Sequence, residues 1–136
     1  MQAQFSLASY SRTIAADLDD MDRYCALMHQ LPRQFHKLTA AAQAAALSHR
    51  PPLTGTRWDA LLAAVVEHIA RLHSHNVPDW VNEPDRFLTV PWVISKNPVI
   101  AADSVLYAPA SFIRHSVFPD PLDLDARGGE KHAWVP

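Results

Sequence analysis

Glycine is nearly missing from this chain. Three glycines in 136 residues, Gly55, Gly128 and Gly129, do not supply a phosphate-cradling loop or a dinucleotide fingerprint, which need several at fixed short spacing. Nucleotide chemistry of those kinds is not expected. One cysteine, Cys25, leaves no intramolecular disulfide to form. No apolar run nears the roughly 18 residues needed to cross a bilayer. The N-terminus, Met-Gln-Ala-Gln-Phe-Ser, lacks the basic-then-apolar signature of a secretory leader. A cytoplasmic protein without membrane association is the expectation. Positive charge is not in excess either: the net charge is −2 and the pI near 6.4. Lys and Arg are scattered, whereas proteins that grip nucleic-acid phosphates carry a basic stripe. Autonomous binding of DNA or RNA is not expected.

What is there belongs to a globular chain. Hydrophobic residues make up 49% and charged residues 19%, and the length suits a single domain over 1–136. Its character changes near residue 76. Three prolines precede that point and eight follow in the last 60 residues. The division is therefore a helical part over 1–76, a wrapping part rich in proline and aromatics over 77–124, and a tail over 125–136. The tail reads as mobile, or as docking on a neighbour through Trp134.

Ile14, Leu18, Met21, Cys25, Met28 and Leu31 fall at helical spacing. They predict one helix of about 20 residues, with Pro32 ending it or opening the next. Asp17, Asp19, Asp20 and Asp22 lie mostly off the stripe, as a solvated face would. Helices follow over Arg33 to Leu38 and Ala40 to Leu47, the latter capped by Thr39. The Pro51-Pro52 pair with Gly55 marks a loop. Thr56 with Asp59 opens the most apolar helix, over about 57–73, built on Trp58, Leu61, Leu62, Val65, Ile69 and Leu72. Pro78 opens a single turn, Asn97-Pro98 a helix to Leu106, and Pro109 another to His115. Val90 to Ser95 is the one strand, and it needs a partner. The expected fold is mainly α: a compact helical bundle whose largely irregular C-terminal half wraps the central helix.

Chemistry is harder to find. His68, His73 and His75 cluster at the end of the central helix, spaced by five and two. Metal ligands on a helix want three or four, so that both side chains share a face. They are weak metal candidates, and neither metal nor cofactor is expected. Arg followed by His after four to six residues marks certain helical ribonucleases. Arg23 with His29 and Arg127 with His132 fit, but in a chain holding nine Arg and eight His about two such pairs arise by chance. Cys25 sits on the apolar stripe as a buried thiol would. Asp120, Asp123 and Asp125 lack the spacing and central glycine of a calcium loop. No catalytic residue is assigned. A small hydrolase or RNase using histidines is the alternative, and the Ile14–Leu31 stripe could instead pair two copies as a structural homodimer.

The aromatics stand out: Trp80, Phe87, Trp92, Phe112 and Phe118, with Arg86 and Arg114 beside two of them in sequence. Large side chains can pin an irregular segment onto helices. Partly exposed, the same seven residues make a partner-binding patch, because aromatics and Arg dominate interface energetics.

Two segments support the second reading by resemblance. Arg57-Trp58-Asp59-Ala-Leu-Leu-Ala-Ala-Val-Val-Glu67-His68 is one. The other is the series Pro78-Asp-Trp80, Phe87-Leu, Pro91-Trp92, Pro109-Ala-Ser-Phe112-Ile-Arg114-His-Ser-Val-Phe118. Across roughly Leu53 to Asp125 the chain resembles small bacterial proteins encoded beside nucleotidyltransferase-like toxins of the abortive-infection type. Some of those carry a helix-turn-helix module, which the first 50 residues here do not show. The resemblance implies an antitoxin or regulatory partner: a non-enzymatic helical body that neutralises a cognate toxin by direct binding.

Overall fold

The computed structural model of the protein describes residues 5–124. The tail read over 125–136, with Trp134, lies outside them. The fold is mainly α. Helices α1 (Leu7–Ala15), α2 (Asp20–Cys25), α3 (Leu31–His36), α4 (Ala40–Ser48) and α5 (Trp58–Leu72) make up the first half. The second half holds α6 (Pro98–Leu106), α7 (Ala110–His115), 3-10 turns at Asp79–Asn82, Pro84–Arg86 and Pro121–Asp123, and the short strands β1 (Trp92–Val93) and β2 (Val117–Phe118).

Helix α5 is the axis. Every residue except His68, Arg71 and Leu72 is buried, and α1, α7, β2 and the 3-10 turns at Asp79–Asn82 and Pro84–Arg86 pack around it. Ala60, Ala63, Ala64 and Ala70 are wholly inaccessible, and their small side chains let neighbours approach on several sides. Its start differs from the expected cap. Thr56 does not cap it. Instead Asp59, itself buried, accepts the backbone N–H groups of Thr54 at 3.0 Å and Gly55 at 2.9 Å. The carboxylate thus ties down the preceding loop and lies close to the positive end of the helix dipole.

The single helix expected through Ile14–Leu31 is three pieces. Helix α1 stops at Ala15, and Asp19 restarts the chain by accepting the Asp22 N–H at 2.9 Å. An aspartate able to cap competes with helix continuation. Residues Ala26–Gln30 then form a π-turn, closed by the Leu31 N–H donating to the Ala26 carbonyl. Pro32 explains its place: proline has no N–H for the Met28 carbonyl and its ring crowds that group. Ile14, Met28 and Leu31 of the stripe lie in the chain's own core, while Leu18 and Met21 are exposed. They no longer line one continuous face.

Helix α4 follows Thr39, whose hydroxyl accepts the Ala42 N–H at 3.2 Å. In α6, Asn97 accepts from Val99 at 3.0 Å and Ile100 at 3.3 Å, with Pro98 at the first helical position. The expected strand is two residues long. Its partner is β2, parallel, with Trp92 opposite Val117 and Val93 opposite Phe118. The pair closes the wrapping half on itself and brings α6 against both strands.

Candidate interaction surface and an aromatic cleft

Glu67 is the one acidic residue on α5 past its first turn, and its side chain is fully buried. Burying a lone carboxylate is prohibitive, so its partners follow from necessity. Arg114 donates to Oε1, Arg71 donates to Oε2 at 3.2 Å, and His115 Nε2 lies 3.1 Å from Oε1. Both ring nitrogens of His115 face acceptors, the second being the Arg86 carbonyl at 2.6 Å. The ring donates on both sides when it carries both protons. Burial works to raise the Glu67 pKa, and the hydrogen bonds from Arg114 and His115 together outweigh it, so the carboxyl sits below its ordinary 4.5. Phe87 stacks on His115 at 4.3 Å, and Arg114 reaches on to Asn82 at 2.7 Å.

Arg86 is also wholly buried. It donates to the Pro51 carbonyl at 2.6 Å and to Glu83 at 3.0 Å, and its guanidinium lies 4.7 Å from the Trp80 ring centre. Arg50 holds the other Glu83 oxygen at 2.7 Å. Trp80 donates its indole N–H to the Leu47 carbonyl at 2.9 Å. These contacts staple the turns at 79–86 to the loop after α4. Of the seven expected contact residues, the fold therefore places Trp80, Arg86, Trp92 and Phe112 in the interior. Phe87 and Phe118 are half-buried, and Arg114 is exposed. As a group they anchor the wrapping half. The reachable part of the set is Phe87, Phe118 and Arg114.

The three candidate metal histidines face different neighbours. His68 lies edge-on to Phe112 at 5.4 Å, His73 sits between Phe35 and His36, and His75 bonds Gln43 at 2.7 Å. Among the described residues no three of His, Cys, Asp and Glu are grouped as metal ligands, and no helix is long and apolar enough to cross a membrane.

A different surface comes from α6. Its one buried residue is Ser104, whose hydroxyl returns to the Ala101 carbonyl at 2.7 Å. Val99, Val105 and Leu106 point outward, with Tyr107 just beyond, and Val99 and Leu106 are more than 70% exposed. An ordinary surface helix turns its apolar side chains inward. This one shows apolar side chains outward as well, while Ile100 and Ala101 are half-buried beside Ser104. Composition offers a signal for it: between Pro98 and Leu106 only Asp103 and Ser104 are polar.

Beside β1 the chain opens a cleft of about 530 Å³, reaching from Trp58, Trp92 and Lys96 to Tyr24, His29 and Asp123. The two indoles meet edge to face at 4.9 Å, and the Arg57 guanidinium lies 4.0 Å over the Trp92 ring. On the facing wall Asp123 accepts the Tyr24 hydroxyl at 2.8 Å and pairs with His29 at 3.3 Å. Burial and the Asp123 charge both push the Tyr24 pKa up. His29 reaches this wall from the π-turn, a feature frequent at functional sites. No protein-family model matches the chain, and no curated protein or solved structure matches it either.

Proposed function

We propose that this protein is a non-enzymatic cytoplasmic interaction module that binds a partner protein through the outward face of α6. The carrying observation is the outer side of that helix, which shows Val99, Val105 and Leu106 to water. Contiguous exposed apolar surface on a small domain marks a contact site. Glu67 is held by Arg114, Arg71 and His115, and the buried Arg86 donates to the Pro51 carbonyl and to Glu83. They serve the fold, which favours binding over catalysis.

The class of partner rests on the resemblance across Leu53 to Asp125: a nucleotidyltransferase-type toxin that the bound module neutralises. The test is to tag the full chain, express it with its genomic neighbours, and identify what stays bound at high salt. A stoichiometric toxin-like partner, lost on Leu106→Asp and Val99→Asp with the helical circular-dichroism spectrum intact, is the expected result. Unchanged binding by both variants would refute the α6 surface. A free chain that doubles in mass and returns to monomer on Leu106→Asp would make α6 a homodimer face and end the toxin assignment.

A further inference from the structure

We infer that the cleft between Trp92 and Asp123 binds a small aromatic carboxylate. Its volume, about 530 Å³, lies within the range of small-molecule sites. One wall is apolar and aromatic, with the edge-to-face pair Trp58 and Trp92 at its centre. Both indoles are nearly buried and Arg57 lies over Trp92, so a ligand ring packs on their exposed rims.

Charge decides the rest. Among the described residues Arg57 and Lys96 stand in no ion pair. Arg57 is held over Trp92 with its guanidinium carbon 4.0 Å from the ring centre, and a planar guanidinium fork suits a carboxylate. The acids of the opposite wall are engaged. Asp20 pairs with Arg23 at 3.0 Å, Asp120 accepts the Leu122 N–H at 3.0 Å, and Asp123 holds Tyr24 and His29. An anionic head therefore belongs at Arg57 and Lys96, with the ring on the indoles and its far edge toward Asp123. This site does not depend on the α6 reading.

The test titrates the full chain with 2-naphthoate, neutral 2-naphthamide and cationic 2-naphthylmethylammonium, following the indole N–H signals of Trp58 and Trp92 by NMR. Naphthoate should move both signals and bind about tenfold tighter than the amide, the size of one charge-assisted contact. The exposed Lys96→Gln should weaken naphthoate and leave the amide unchanged, and Arg57→Gln should remove most of the preference for naphthoate over the amide. Equal binding of anion and amide, tighter binding of the ammonium, or no shift at either tryptophan would overturn the assignment.

Discussion

His115 Nε2 lies 3.1 Å from Glu67 Oε1, and neither side chain is accessible to water. The two residues are 48 positions apart, so the contact welds the wrapping half to the central helix. Removing either side chain leaves a buried polar atom of its neighbours without that hydrogen bond, at about 1–3 kcal/mol. Glu67→Ala and His115→Ala should each lower stability by that order in urea denaturation. The double variant should lose clearly less than the two single losses combined, because it strands less. Additive losses would show that the pair is not coupled.

Acid should weaken the fold in two windows. Glu67 and Glu83 titrate below their ordinary 4.5; in Glu83 burial works upward, and the hydrogen bonds from Arg50 and Arg86 outweigh it. A carboxyl with a depressed folded pKa contributes stability that is full above the unfolded value and lost as pH falls below it. His68 is lowered from 6.5, chiefly by burial, with the Leu124 backbone acting the other way. Its contribution is full above 6.5 and declines as pH falls through that value. Melting temperature followed against pH should show both declines. His68→Leu should flatten the upper one only, and Glu67→Gln should shrink the lower one.

Gly55 has φ of +78°, with nothing within 4 Å of where a Cβ would stand. Space is available, and the left-handed backbone is the obstacle. Gly55→Ala should cost about 1–2 kcal/mol by thermal unfolding, and Gly55→Asn less, since asparagine tolerates that region. Equal costs would point to a loop that relaxes into another conformation.

Trp80→Phe keeps an aromatic ring, smaller than the indole, and removes the donor to the Leu47 carbonyl. An unsatisfied buried carbonyl costs about 1–3 kcal/mol. The loss should appear in denaturant midpoint, with faster hydrogen exchange around α4 and the turn at 79–82. A variant as stable as the parent would mean that the Leu47 carbonyl finds another donor.

How much of this was legible in the sequence varies by element. Helix α6 is legible almost to the residue, because Asn97-Pro98 is a local start signal and the structure uses it. The segment from Ile14 to Leu31 is not. Apolar spacing runs unbroken through the gap at Ala16–Asp19, since periodicity counts side chains and is blind to a competing cap such as Asp19. The Glu67 cluster joins residues from three separate stretches, and no local pattern links them. Its one signal is a carboxylate on an otherwise apolar helix. The aromatic spacing marks the anchoring residues correctly as large and apolar, but whether a tryptophan points in or out depends on tertiary packing that no short window contains.

The burial of Glu67 bears on how the chain is made. On the ribosome α5 emerges first, and Arg114 and His115 follow it by 47 and 48 residues. At about 5–20 residues per second, the helix spends seconds with a carboxylate that cannot yet leave water. The first half therefore has no finished structure to adopt during synthesis. The axis of the fold is completed only once Arg114 and His115 have been translated, and a nascent chain stopped short of His115 should be far more open to proteases than one that extends past it.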